Sequence, residues 1–290
     1  MMSEEEALHL KQWVGRTEET TSLLHPEVAQ RLAATLDRAE APREGERLPP
    51  LWHWMFFQPS ARQSELEPDG HPPRGSFFPP VRLPRRMWAG GALRFEPGVD
   101  LIVGVTASRR SRIGSVICKT GRSGPLVFVA VEHAISDALG RLAITERQEL
   151  VYRAAASRIN QPTSPEEPIA RPPPAWRRRI DPSPALLFRY SALTFNGHRI
   201  HYDRPYAMTV ENYSGLVVQG PLIATLLLEL LQAARPQARV SSFEYRASAP
   251  LFDDAPFFTC GCPAGERIEL WAESSSGRVA MSANVALSAS

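Results

Sequence analysis

The sequence predicts an α+β protein in which one unit, a helix packed on an antiparallel sheet, occurs twice. Three observations predict it. Runs rich in Val, Ile and Phe fill residues 91–152 and return over 240–286. An apolar stretch precedes each set, Pro49 to Phe57 before the first and Pro221 to Ala234 before the second. A Pro- and Arg-rich segment, 157–184, separates the two and reads as an exposed linker. The expected division is therefore 1–156, linker 157–184, and 185–290.

Element by element, Glu4–Val14 reads as helical. In Glu27–Ala39 the residues Val28, Leu32, Thr35 and Leu36 recur at helical spacing behind Pro26. Pro49–Phe57 (PPLWHWMFF) reads as a buried segment. Residues 58–84, dense in Pro, Gly and charge, form a long excursion. An irregular loop of that length in a compact domain is usually functional or disordered. Gly91–Phe95, Val99–Arg109, Arg112–Thr120, Leu126–Ile135 and Leu142–Tyr152 read as strands, with a hairpin turn at Gly121–Gly124 (GRSG). In the second half Pro184–Phe195 leads into a histidine-rich run, and Pro221–Ala234 is an apolar helix. Val240–Ala249, Pro256–Cys260, Arg267–Ser274 and Val279–Ala286 complete the sheet. The order suggests that PPLWHWMFF corresponds to GPLIATLLLELL, and HPEVAQRLAATL to HYDRPYAMT.

Composition narrows the function classes. Hydrophobic residues make up 43% and charged residues 22% of the 290, values normal for a globular protein. The acidic start, MMSEEEALHLKQ, lacks a basic segment followed by an apolar one, so a cytoplasmic, non-membrane protein is expected. Cys260 and Cys262 are too close in sequence for an ordinary bridge, and with Cys118 they leave a four-cysteine zinc site one short. All three read as buried or half-buried residues. Arginine replaces lysine almost everywhere; only Lys11 and Lys119 occur. The arginine clusters come without a nucleic-acid reading motif, so no nucleic-acid partner is expected.

The run Ser191–Ala207, SALTFNGHRIHYDRPYA, concentrates Asn196, His198, Arg199, His201 and Asp203 between apolar segments. His201 suits a general base, since imidazole titrates near neutrality. Asn196 can position a water through its amide. The helix behind it begins at Gly220–Pro221, where unsatisfied N–H groups and the helix dipole favour developing negative charge. Pro221 has no N–H, so Gly220, Leu222 and Ile223 are the candidate donors. His198 reads as solvated or supporting, Asp203 as a helix cap, and Tyr202 and Tyr206 as packing. A metal held by His198, His201 and Asp203 lacks a completing ligand, and no metal is expected. G-x-S-x-G and G-x-G-x-x-G are both missing from the sequence.

The same run resembles the signature of the MaoC-like (R)-specific enoyl-thioester hydratases. In that signature an acidic or amide residue precedes a histidine by five positions and a small residue follows; the matching positions are Asn196, His201 and Ala207. Relatives usually carry aspartate where this chain has Asn196. Together with LPPLWHWMFFQP, FFPPVRLPRRMWAGG, KTGRSGPLVFV and GLVVQGPLIATLLLELL, the chain resembles the FAS1-like double-hotdog dehydratases over roughly 10–287. The resemblance implies a double hotdog, two long helices each wrapped by a curved antiparallel sheet, with the catalytic motif in the C-terminal unit and a substrate-groove half before it. It implies reversible hydration of an enoyl-CoA thioester, a short branched diacid such as itaconyl-CoA or mesaconyl-C4-CoA giving citramalyl-CoA. A fatty-acid or polyketide 3-hydroxyacyl-thioester dehydratase and a non-catalytic acyl-CoA binder are the alternatives. No cofactor is implied, CoA being part of the substrate. A free carboxylate on the acyl group would need a cation, and Arg199, Arg189 or Arg86 could supply it. A homodimer is expected, with residues 71–90 as a plausible contact.

Overall fold

The computed structural model describes residues 3–121, 124–154 and 171–288. In chain order they form α1 (Glu4–Lys11), β1 (Thr17–Leu23), α2 (Pro26–Thr35), β2 (Arg85–Phe95), β3 (Thr106–Gly121), β4 (Gly124–Ser136) and β5 (Leu142–Arg153). Then come β6 (Trp176–Ile180), α3 (Pro184–Leu193), α4 (Arg204–Thr209), α5 (Gly220–Ala234), β7 (Val240–Ala247), β8 (Phe257–Ala264), β9 (Arg267–Ser274) and β10 (Val279–Leu287).

All ten strands join one antiparallel sheet, in the order β1-β3-β4-β5-β2-β7-β10-β9-β8-β6. Read outward from the centre, β2-β5-β4-β3-β1 on one side matches β7-β10-β9-β8-β6 on the other. The unit is therefore duplicated, and its copies meet where Gly90–Arg94 of β2 pairs with Ser242–Arg246 of β7. Glycine is needed at this seam: a Cβ on Gly90 would stand 2.8 Å from the Tyr245 carbonyl oxygen.

α5 lies in the hollow of the second half-sheet. Ten successive residues, Leu222–Leu231, are buried, as expected of a helix apolar on every side. Its one acid, Glu229, is matched rather than stranded: Arg38 Nε lies 2.7 Å from one oxygen and Trp52 Nε1 donates to the other at 3.2 Å. This is a double hotdog with an asymmetry that the sequence does not announce. The first unit has no counterpart of α5 among the described residues. In its place PPLWHWMFF makes only a short 3-10 turn, Trp52–Met55. The indole and imidazole of that turn bind a buried carboxylate: Trp54 Nε1 and His53 Nε2 reach Glu146 at 2.8 and 3.0 Å.

Other expectations need correcting. α2 corresponds to α3 rather than to HYDRPYAMT, since each follows an edge strand and each starts with proline. Val99–Arg109 and Arg112–Thr120 are not two strands; β3 runs unbroken from Thr106 and residues 99–105 precede it as a loop. Residues 122 and 123 of the expected turn lie outside the described residues, although Gly121 and Gly124 pair across it. The expected linker lies outside them as far as residue 170. The remainder of 157–184 holds β6, which pairs with β8 and carries Arg177, Arg178 and Arg179. The three cysteines are free, Cys260 and Cys262 buried and Cys118 half-buried.

Candidate active site

The histidine-rich run is shaped by a chain of local hydrogen bonds. α3 ends with Phe195 in the left-handed region (φ 47°). Phe195 N–H donates to Ala192 O at 3.3 Å and Asn196 N–H to Ser191 O at 2.8 Å, the paired bonds of a Schellman ending. The Asn196 side-chain oxygen then accepts from His198 N–H at 3.1 Å. That bond leaves the Asn196 NH2 group uncommitted. A single 3-10 turn, Arg199–His201, follows. Asp203 caps α4, accepting from Tyr206 N–H at 3.1 Å, as the sequence suggests.

His201 is buried, 8% exposed. Its Nδ1 lies 2.7 Å from the Val217 carbonyl oxygen, and Val217 N–H donates to Ile200 O at 2.9 Å. A carbonyl only accepts, so Nδ1 carries the proton and Nε2 keeps its lone pair. Burial pushes the imidazole down to about 4, against the pull of the Val217 bond. His201 is thus neutral at physiological pH, with a fixed tautomer.

Val217 belongs to the segment entering α5, so the imidazole is tied to the start of that helix. Ile223 N–H is spent on Gln219 O at 3.1 Å. Gly220 and Leu222 are left with N–H groups that a first helical turn cannot satisfy. Trp88 of β2 closes over this point: a Cβ on Gly220 would be 2.6 Å from Trp88 Cε3. Gln219 is buried and braces the approach, its NH2 donating to Leu187 O and Ser191 Oγ, both at 2.9 Å.

The excursion 58–84 supplies what the sequence reading missed. Arg199 N–H donates to Asp69 O at 2.9 Å, and Arg199 Nη1 to Pro68 O at 3.0 Å. Gly70 (φ +89°) lies so close to the Gly197 carbonyl that no Cβ would fit. His71 comes with it, its Nδ1 3.0 Å from Asp69 Oδ2 and its ring 4.1 Å from that of His198. The His198 and His201 rings are 5.5 Å apart. His198 is therefore not solvated; it is 9% exposed and sandwiched between two imidazoles. Burial lowers the affinity of His71 and His198 for protons, and the Arg86 charge adds to the effect on both. Asp69 is held ionised by its bonds to His71, against burial. The only signal for this partnership was the apolar and charged content of an unusually long excursion.

Asp69, His71 and His198 offer ligand atoms within 4.8 Å of one another. This set differs from the His198, His201 and Asp203 set suggested by spacing. Asp203 is committed to Arg199 at 2.8 Å. His71 Nδ1 and Asp69 form a hydrogen-bonded acid–imidazole pair.

Of the three arginines expected near substrate, Arg199 is neutralised by Asp203 and stacks on Tyr206 at 4.0 Å. Arg189 is exposed on α3. Arg86 is half-buried on β2 and has no carboxylate within ion-pair distance among the described residues. Tyr202, expected in packing, is 45% exposed and donates from its hydroxyl to Gly197 O at 2.9 Å.

The double hotdog thus sets a neutral imidazole beside the N-terminus of its central helix, an arrangement suited to moving a proton next to developing negative charge. The comparisons with known proteins fix the family. The model of the hydroxyacyl-thioester dehydratase type 2 family matches residues 51–253, and the chain belongs to that family. It is 47% identical over 280 residues to a mesaconyl-C(4)-CoA hydratase of Chloroflexus aurantiacus, covering 95% of this chain and 96% of the relative. It is 30% identical over 246 residues to the mitochondrial hydroxyacyl-thioester dehydratase type 2 of Schizosaccharomyces pombe, covering 77% of this chain and 80% of that one. A double-hotdog protein of Mycobacterium tuberculosis superposes with a TM-score of 0.60 at 13% identity, over 94% of this chain and 96% of that one. The chain is an acyl-CoA hydratase/dehydratase.

Proposed function

We propose that the enzyme hydrates a short unsaturated diacid CoA ester of the mesaconyl-C4-CoA kind, with His201 as its proton-transfer group. The carrying observation is the His201 imidazole, neutral, buried and fixed in one tautomer beside the start of α5. His201 Nε2 takes a proton from water as the water oxygen bonds to the β-carbon. The C=C electron pair moves toward the thioester oxygen, and the Gly220 and Leu222 N–H groups receive the charge that develops there. The imidazolium then returns the proton to the α-carbon. One water is added, and the imidazole ends neutral as it began. The Asn196 NH2 holds the water; an amide takes no proton, so the shuttle rests on His201 alone. No redox step occurs, so no cofactor is required.

The acyl group is supported by the 47% identity to the mesaconyl-C(4)-CoA hydratase, which extends over almost the whole chain. A 3-hydroxyacyl-thioester dehydratase with longer substrates is the second reading, favoured by the family match. Incubation with mesaconyl-C4-CoA, itaconyl-CoA, crotonyl-CoA and a longer enoyl-CoA, with the product weighed, separates the two.

A cytoplasmic homodimer is part of the proposal. Large apolar side chains exposed around α3 and α4, Phe188, Phe195, Met208 and Val210, support an association. The excursion is a poorer contact than its sequence suggests, because Val81, Phe77 and Phe78 pack into their own chain. Light scattering tests the assembly; a fully active species near 32.2 kDa would reject the dimer.

A further inference from the structure

β2 and β5 are neighbours, and their register sets Arg86 directly opposite Tyr152. Opposite residues share one face of a sheet and their side chains touch. Trp88, two positions along β2, lies on that same face, about 7 Å further on at the usual rise of a strand. Trp88 is the residue that closes over Gly220 at the start of α5. The Arg86–Tyr152 pair therefore stands one strand step from the helix terminus that faces the thioester. The Arg86 charge also reaches His71 and His198.

Neither member of the pair has an acidic partner among the described residues. Tyr152 is fully buried, yet its hydroxyl makes no hydrogen bond. A buried hydroxyl left so is costly to the fold. The neighbouring charged groups are already committed. Arg74 lies over the Tyr152 ring at 5.6 Å, but it pairs with Glu67 at 3.4 Å and donates to Val81 O and Leu83 O, each at 2.8 Å. Arg85 pairs with Glu211 at 3.0 Å. Asp69 is taken by His71. Arg86 stands by the Tyr152 hydroxyl and the Phe78 ring, the latter 5.8 Å from its guanidinium carbon, and among the described residues it has no carboxylate within ion-pair distance. A cation without an acid and a buried phenol thus share one place, and the cation's charge is felt by His71 and His198.

We propose that Arg86 and the Tyr152 hydroxyl form the pocket for a second, free carboxylate of the acyl group. Guanidinium matches a carboxylate bidentately, and the phenol donates a further bond. The pocket restricts the substrate class to enoyl-CoA esters that carry a distal acid. This inference rests on the hydratase reading above and adds the residues that select the acyl group.

The test is the ratio of kcat/KM for mesaconyl-C4-CoA to that for crotonyl-CoA, which lacks the second acid. Loss of a hydrogen-bonded charge partner predicts that Arg86→Gln lowers this ratio about 10- to 100-fold, mainly through KM for the diacid ester. Arg86→Lys recovers part of it. Tyr152→Phe lowers the ratio about 3- to 10-fold, the worth of one such bond. This second variant removes one hydroxyl and keeps the buried ring, so it serves even if Arg86→Gln is unstable. A ratio unchanged in both variants overturns the pocket. So does an equal fall with both esters, which would place Arg86 on CoA or in the fold. A wild-type enzyme with no preference for the diacid overturns the substrate reading and the pocket together. A wild-type preference that survives Arg86→Gln overturns the pocket alone.

Discussion

Acidification should unfold this protein by protonating imidazoles that the fold keeps neutral. Burial pushes His201 and His133 each down to about 4. In the unfolded chain both return to the ordinary value of about 6.5. The unfolded state then binds more protons between the two values, so stability falls as pH drops through that window. Linkage puts the loss at about 2 kcal/mol per histidine from pH 7 to pH 5, about 4 kcal/mol for the pair. His71 and His198 are shifted the same way and add to it. Glu146 acts in a lower window. Its bonds to His53 and Gln148 hold it at about 2 against burial, so its contribution is intact above about 4.5 and fades only below that. A loss near 4 kcal/mol is a large part of a typical domain's 5–15 kcal/mol. Guanidinium titrations at pH 7, 6 and 5 measure it. His133→Asn, which removes one of the two imidazoles, should shrink the loss by about 2 kcal/mol. Equal stability at pH 7 and pH 5 would refute the reasoning.

Four other outcomes follow from the geometry. His201→Gln, which keeps most of the buried volume, should cut turnover by about 10²–10⁴-fold, the range of general acid–base catalysis. In wild type the same imidazole should hold turnover level down to about pH 5 and lose it as pH nears the value of about 4 set by burial; an acid limb at pH 6.5 would contradict this. Gly220→Ala should lose about 1–3 kcal/mol to overpacking, because the new methyl would stand 2.6 Å from Trp88 Cε3; melting should fall and Trp88→Phe should restore part of it. Asn196→Asp keeps the oxygen that holds His198 N–H and should retain more activity than Asn196→Ala; the reverse order in initial rates would remove Asn196 from the water site.

Much of this was legible in the sequence, for physical reasons. α5 announces itself because a helix buried on all sides must be apolar on all sides. His201 stands out because a polar run between apolar segments is rarely core. The duplicated sheet shows in its Val- and Ile-rich central strands. The two edge strands stay hidden. β1, TEETTSL, is polar, and its residues alternate between exposed and half-exposed. β6 is three arginines between Trp176 and Ile180, so neither carries an apolar alternation. The burial of His198 is illegible because its cover, His71, comes from 127 residues earlier in the chain, brought there by the Asp69 and Gly70 backbone. His201 lies in a polar run, yet Val217 and the imidazole cluster enclose it. Arg86 could be named as a candidate but not chosen, since its lack of a partner depends on Glu67, Asp203 and Glu211 having been taken by its neighbours.

The most direct measurement of the account is single-turnover hydration of mesaconyl-C4-CoA in ¹⁸O-labelled water, wild type against His201→Gln, with the product weighed. Wild type should add one labelled oxygen to the acyl-CoA with the thioester intact, and the variant should do so about 10²–10⁴-fold more slowly. Release of free CoA thiol would mark a thioesterase, and equal rates in the two proteins would remove His201 from the chemistry.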